Sequence, residues 1–189
     1  MGTGPAGLSI AEAVAEAELP VLAVCMTGAR QDLARRRLRK TLAMRVALGE
    51  LTQREADAID ERVIFTRDLA RVRGCDLVIE SAVGDHKSRR AVLATIESTI
   101  SRATVVASNV ARPDLARMAE VLERKDQFIG LRFFHPATHT PLVEVMPLPE
   151  TAPGARYACE TFCRWLHKTP VEHVEGEVAP VLGRKVAAV

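Results

Sequence analysis

The chain opens with Gly2-Thr3-Gly4-Pro5-Ala6-Gly7, and this stretch decides the fold. It fits the pattern G-x-G-x-x-G and runs directly into an apolar-periodic segment, in which Ile10, Ala11, Val14 and Ala15 share one helical face. The physical logic of the pattern is specific. The first glycine permits a tight turn, the second lets the backbone approach a pyrophosphate, and the third lets helix and strand pack closely. The following helix presents unpaired N–H groups and a positive dipole end to the phosphates. Pro5 suits a first-turn position, where its missing N–H costs nothing. The loop residues Gly2, Gly4 and Gly7 are therefore candidate cofactor-binding residues.

The rest of the chain alternates in the same way. Residues 20–25 (PVLAVC) form a continuous apolar run, as expected of a strand buried on both faces. A basic helix is expected over 29–48, and a second helix from Thr52, where Thr52 and Glu55 form a capping-box pair. A short strand at Val63–Thr66, an apolar strand at Asp76–Ala82 and a helix over 86–100 follow. Next come a buried strand at Ala103–Ser108 and a helix from Pro113 to Glu123. Strands at 128–134 and 142–147, a helix at 153–167 and a strand at Thr169–Glu175 complete the pattern. This alternation predicts an α/β domain of Rossmann type: doubly wound, with a mainly parallel sheet and helices on both faces.

Two features depart from that pattern. A central strand should precede the loop, and only Met1 stands there. The strand is then encoded upstream, or the chain is a damaged member, or another segment fills the place; otherwise the neighbouring strands lack a ladder partner. Position 25, at the end of the second strand, should carry an acid for the ribose 2′-hydroxyl, and here it is Cys25. Either Thr27 or Arg30 meets the 2′-phosphate of NADP instead, or cofactor selectivity is lost.

Composition excludes several classes. The 189 residues suit one domain, and a net charge of +2 does not by itself imply nucleic acid or a membrane surface. No apolar run approaches the roughly 20 residues of a membrane helix, and Glu12, Glu16 and Glu18 interrupt any signal-like segment. The cysteines at 25, 75, 159 and 163 form no paired framework, which reads as reduced thiols in a cytoplasmic protein. Cys159, Cys163 and His167 share a helical face, but no fourth ligand accompanies them, so no metal is expected.

Several segments together resemble the 3-hydroxyacyl-CoA dehydrogenase family. They are GTGPAGLSIA at the start, GELTQREAD at 49–57, DLVIESAVGD at 76–85 and ASN at 107–109, followed by QFIGLRFFHP, PLVEV and KTPVEHVE. They keep the family's order across nearly the whole chain. The resemblance implies NAD as cofactor, with NADP as the alternative, and hydride exchange at C3 of a 3-hydroxyacyl thioester carried on CoA or an acyl carrier. It adds Ser81 to Gly2, Gly4, Gly7, Thr27 and Arg30 as cofactor-binding candidates. In that family a His is the general base, a Glu orients it, and a Ser and an Asn hold the substrate oxygen.

Those catalytic positions are mostly replaced. The family's G-x-H-F-F-N-P reads Gly130-Leu131-Arg132-Phe133-Phe134-His135-Pro136, so the base falls on Arg132, which cannot accept a proton. His135 is a weak substitute, and strand alternation would turn it away from Arg132. The Ser falls on Ala111, the Glu near the nicotinamide on Gly84, and a substrate-binding Asn on Gly183. Glu144, Ser108 and Asn109 are retained, and an ion pair between Arg132 and Glu144 is expected where the dyad stood. The helix bearing Arg30, Arg35, Arg36, Arg37, Arg39, Lys40 and Arg45 is either a phosphate-binding face toward CoA or a solvated helix surface. The domain is expected to span 1–177, with 178–189 beginning a linker toward a helical domain that the family carries next. That implies two functional alternatives: a dehydrogenase domain impaired or inactive alone, or a non-catalytic dinucleotide- or acyl-CoA-binding scaffold. Its partner would be a separate helical domain or a second copy.

Overall fold

Runs rich in Val, Leu, Ile and Ala make the central strands, because those strands are covered on both faces, as Val105–Ser108 and Phe128–Phe133 are. The computed structural model describes residues 2–172, and Gly183 and the 178–189 segment lie outside the described residues. The order is α1 (Pro5–Glu16), β1 (Val21–Val24), α2 (Gly28–Ala47), α3 (Gln53–Arg62) and β2 (Val63–Thr66). A 3-10 segment at Leu69–Gly74 leads to β3 (Leu77–Glu80), α4 (His86–Thr99), β4 (Val105–Ser108) and α5 (Arg112–Ala119). The chain ends in β5 (Phe128–Phe133), β6 (Leu142–Pro147), α6 (Pro153–Trp165) and β7 (Thr169–Glu172).

The strands fall in two sheets. One is β1-β2, parallel; the other runs β3-β4-β5-β6-β7 and is parallel except between β5 and β6. Among the described residues, β1 pairs only with β2 and the outer edge of β3 has no strand beside it. The break falls where the sequence pattern wants a strand ahead of the glycine loop.

Alternation along the strands builds two cores. Val105, Ala107, Ile129 and Leu131 turn to the face covered by α1 and α6, where Ile10, Val14, Cys159 and Cys163 meet them. Val106 and Phe128 turn to the other face, against Leu93 and Ile96 of α4 and Leu115 and Met118 of α5. A third cluster packs α1, α2 and α3 around β1 and β2 through Leu8, Leu38, Leu42, Ile59 and Phe65. The capping box starts α3 as expected: the Thr52 side chain accepts from the Glu55 N–H, and Glu55 accepts from the Thr52 N–H. The helix expected over Pro113–Glu123 is shorter, because the chain turns at its end, with the Leu122 N–H donating to the Ala119 carbonyl.

The Cys159 and Cys163 thiols lie in the first core, where burial pushes both up to about 12. They pack as small apolar groups. The basic helix does not act as one surface. Arg45 is buried and spans Glu12, Glu16 and Glu50, tying α2 to α1 and to the turn after α2. Arg39 pairs with Asp60 and Arg35 lies over Phe65, which leaves Arg30, Arg36, Arg37 and Lys40 as the exposed cations of that helix without an ion pair or ring contact among the described residues.

Gly130 sits where β5 passes beneath α5 and beside β6. A Cβ added there would stand 2.8 Å from Leu115 Cδ2 and 2.8 Å from Met146 Cε. Gly130→Val is therefore expected to destabilise the fold by about 1–3 kcal/mol through overpacking. Denaturant unfolding followed by circular dichroism reads this as a lower midpoint; an unchanged midpoint would show that Leu115 and Met146 yield freely.

Candidate dinucleotide and catalytic site

The glycine loop lies on the C-terminal end of β3. Gly2 has φ +111°, and a Cβ there would come 2.6 Å from the Ser81 carbonyl. A Cβ on Gly7 would overlap the Gly2 carbonyl oxygen and stand 2.6 Å from Ser81 Oγ. Both positions thus require glycine for steric reasons visible in this chain. Ser81 Oγ donates to the Gly2 carbonyl at 3.1 Å, so Ser81 holds the loop. Helix α1 then begins with Gly4 as N-cap, Pro5 in the first turn, no capping side chain and no acidic first-turn residue. Its leading N–H groups and dipole are left for an anion. This cradle fits a dinucleotide pyrophosphate, and Gly2, Gly4 and Gly7 with the start of α1 are the residues that would hold it.

The ribose end fits less well. Cys25 is buried, and its thiol donates to its own strand at the Ala23 carbonyl, 3.7 Å away. Thr27 serves as the N-cap of α2, accepting from the Arg30 N–H at 3.2 Å. Arg30 is exposed at that helix start. Arg67, which sequence reasoning missed, is a second exposed cation there; its guanidinium lies 3.7 Å from where a Gly28 Cβ would be. No acid stands at the end of β1 to accept from a ribose. The signal for Arg67 was its place just after β2, which only the parallel pairing of β1 with β2 brings to this corner.

At the catalytic positions, β5–β6 register sets Arg132 opposite Glu144. The guanidinium reaches the carboxylate at 3.3 Å and lies 5.0 Å from the Phe134 ring centroid. The Arg132 side chain is 42 % exposed and that of Glu144 only 12 %, so a cation fronts a shielded carboxylate. Asn109 follows β4, and its Oδ1 accepts from the Phe133 N–H at 3.0 Å, so among the described residues the side chain's amide nitrogen is the donor not used by that bond. The Ser position is Ala111, which starts α5 without a capping hydroxyl. His135 lies beyond the end of β5, so the strand-alternation argument does not govern it; it is exposed and, among the described residues, has no carboxylate partner. Gly84 has φ +156°, and no carboxylate stands at that turn position.

Ser108 occupies a different place from Asn109. It is fully buried, and its hydroxyl donates to Glu80 Oε2 at 2.7 Å. Glu80 is also fully buried, and sequence reasoning missed it. Its two oxygens accept from the Arg89 guanidinium at 2.6 and 3.1 Å and from the Ala82 N–H at 2.6 Å. Arg89 extends the cluster to the Asn109 carbonyl at 3.4 Å. Ser108 is thus part of the support beneath Asn109, and one network joins β3, β4 and α4 under the site. Removing one partner of such a buried pair strands the other charge, which typically costs about 3–5 kcal/mol. Glu80→Ala is expected to lose that much in equilibrium unfolding, while Arg132→Ala, which removes the half-exposed partner of a pair open to solvent on one side, should lose about 1 kcal/mol. Equal losses would contradict the assignment of Glu80 as the buried anchor.

The comparisons with known proteins agree with this geometry. Residues 1–176 match the family described as 3-hydroxyacyl-CoA dehydrogenase, NAD binding domain. The chain is 29 % identical over 171 residues to the fatty acid oxidation complex subunit alpha of Psychrobacter cryohalolentis, covering 90 % of this chain and 24 % of that protein. Among solved structures it is similar to (S)-3-hydroxybutyryl-CoA dehydrogenase PaaH1 of Ralstonia eutropha, with a TM-score of 0.87, 26 % identity and coverage of 96 % of this chain and 65 % of that one. FadB2 of M. tuberculosis gives a TM-score of 0.87 at 30 % identity, covering 91 % of this chain and 61 % of that one. The chain therefore spans about a quarter of the length of the curated relatives it matches. With its glycine cradle, its sheet order and this match over nearly its whole length, the chain belongs to the 3-hydroxyacyl-CoA dehydrogenase family, as the NAD binding domain.

Proposed function

We propose that this domain holds NAD at the Gly2–Gly7 cradle but does not by itself catalyse hydride exchange at C3 of a 3-hydroxyacyl thioester. The observation that carries the reading is Arg132, paired at 3.3 Å with the Glu144 carboxylate that would otherwise orient a base. A general base must have a pKa near the working pH; a guanidinium stays charged and can only donate. Ala111 supplies no hydroxyl to a substrate oxygen, and Asn109 alone remains to contact one. The pair Arg132–Glu144 has become structural, and the domain is a pseudoenzyme that binds without turning over.

The nicotinamide supplies hydride chemistry when bound; the chain's own contribution is the phosphate cradle, the Ser81 brace and the Asn109 donor. Cys25 in place of an acid, with Arg30 and Arg67 exposed at the same corner, favours acceptance of NADP beside NAD. An acyl-CoA or acyl-carrier thioester is the ligand class of the substrate side, with Arg36, Arg37 and Lys40 as cations for its phosphates. The dry, closed cleft that this chemistry needs calls for a helical partner domain or a second copy. The four cysteines are all free, which suits a cytoplasmic setting.

The test is titration of the purified protein with NADH and NADPH, followed by nicotinamide fluorescence, with acetoacetyl-CoA added and absorbance read at the nicotinamide band. The expected result is saturable binding of a nucleotide with no turnover above the protein-free rate. Steady consumption of acetoacetyl-CoA would overturn the reading and turn attention to His135 as base. Absence of nucleotide binding would overturn the cradle assignment.

A further inference from the structure

Strands β3, β4 and β5 are parallel, so their carboxyl ends lie together at one end of the larger sheet. Ligands of such sheets sit just beyond those ends. The glycine loop, braced by Ser81, occupies the end of β3. Asn109 follows β4, and Arg132 is the residue before the last of β5. The bond from the Phe133 N–H to Asn109 Oδ1 joins those two ends. Arg132 differs from the two shielded arginines of the fold. Arg45 spans three carboxylates, and Arg89 closes on Glu80 at 2.6 and 3.1 Å with its side chain 14 % exposed. Arg132 is 42 % exposed and, among the described residues, gives one hydrogen bond, from Nη1 to Glu144 Oε2 at 3.3 Å. That is long for a charge-assisted bond, which closes to about 2.7–2.9 Å. A guanidinium has five N–H donors in a planar fork, so most of this one is left to meet a ligand. Phe134, with its ring centroid 5.0 Å from the guanidinium carbon, flanks the group without supplying an oxygen acceptor.

We propose that Arg132 and Asn109 form a carboxylate-binding site, whose ligand, resting on the thioester reading above, is a short acyl thioester with a free carboxylate on its chain. A carboxylate presents two oxygens that match the edge of a guanidinium, whereas a neutral ketone or hydroxyl meets one N–H and brings no charge. The Asn109 amide nitrogen is a further donor beside the strand end. Helix α5 begins two residues later, at Ala111, with no side-chain cap, so the positive end of its dipole lies close by. Its first-turn acid, Asp114, is engaged by His86 at 3.4 Å. Glu144, only 12 % exposed, lies behind the cation and fixes it to the sheet, while the remaining edge of the fork reads the ligand. Because Glu144 offsets the charge, selection rests on the geometry of the N–H donors more than on net charge. The replacement that removes a base thereby changes what the site prefers.

The test is calorimetric titration of the full chain with malonyl-CoA and with acetoacetyl-CoA, whose third acyl carbon is a carboxylate in one and a ketone in the other. NMR of the arginine Nε–H groups follows the same samples. Malonyl-CoA is expected to bind at least about tenfold tighter, the scale of hydrogen bonds to a charged group, and to move the Arg132 Nε–H resonance. Arg132→Gln should abolish that preference, and Arg132→Lys, which keeps the charge and loses the fork, should retain only part of it. The double variant Arg36→Gln, Arg37→Gln should weaken both thioesters alike. Equal affinity for the two thioesters in the wild-type chain would overturn the proposal and leave the thioester reading in place. So would a preference that survives Arg132→Gln or is lost in the double variant. Malonate binding as tightly as malonyl-CoA would make the free diacid the ligand and overturn the thioester assignment. If neither thioester binds, malonate decides: saturable movement of the Arg132 resonance upholds the carboxylate site and contradicts the thioester reading, and no movement overturns both. The wild-type resonance keeps the test decisive should Arg132→Gln fail to fold.

Discussion

A fully buried carboxylate, Glu80, fixes the geometry on which the site depends. An ionised group can remain in the interior only if its oxygens are matched by donors. Glu80 meets that requirement with Arg89, Ser108 and the Ala82 N–H. The consequence is a rigid seam where β3, β4 and α4 meet. Ser81 leaves that seam on one side and braces the glycine loop; Asn109 leaves it on the other and reaches the Phe133 backbone at β5. The cofactor cradle and the substrate side are thus held to one another through a single buried ion pair rather than through the surface loops that carry them.

Support and chemistry have separated in this chain. The residues that shape and brace the site are present: Gly2, Gly7, Ser81, Glu80, Ser108 and Asn109 all occupy positions that the geometry explains. In the proposed reading, the residues that would move a proton or hold a developing charge are replaced, with Arg132 and Ala111 where the family resemblance puts base and hydroxyl. On the reading proposed above, such a pattern would preserve binding, which depends on backbone shape and helix dipole, while removing catalysis, which depends on a titratable side chain. The Arg132–Glu144 pair shows why the substitution does not disturb the fold. Directly opposed strand residues of opposite charge stabilise a sheet, and this pair also stacks on Phe134.

Most of the architecture was legible in the sequence because buried parallel strands are written as unbroken apolar runs and glycine-led helices as G-x-G-x-x-G. The order of helices and strands and the Thr52–Glu55 capping box follow from such local signals, while the Arg132–Glu144 pairing came from the resemblance, which puts both residues at the family's catalytic dyad. The interruption of the sheet was also legible, since the loop lacked a strand ahead of it. What escaped was non-local. Glu80 ends an apolar strand and Arg89 lies one helix later; the acid in an apolar run was a signal that a buried cation must follow, but its partner could not be named before the fold was known. The basic helix misled for the same reason. Arg45 looks like its neighbours in sequence and is instead buried against Glu12, Glu16 and Glu50. Ser108 looked like a substrate contact because it precedes Asn109, yet strand alternation sends its hydroxyl into the interior.

The central claim is that the glycine cradle binds a dinucleotide while the catalytic face stands idle. Residue-resolved NMR during titration with NADH tests it most directly. The account predicts that shifts concentrate at Gly2, Gly4, Ala6, Gly7 and Ser81, and that they saturate. Saturating shifts centred on Arg132 and Glu144, with the glycine loop unmoved, would contradict it and would make the cation at the former base position the ligand site instead.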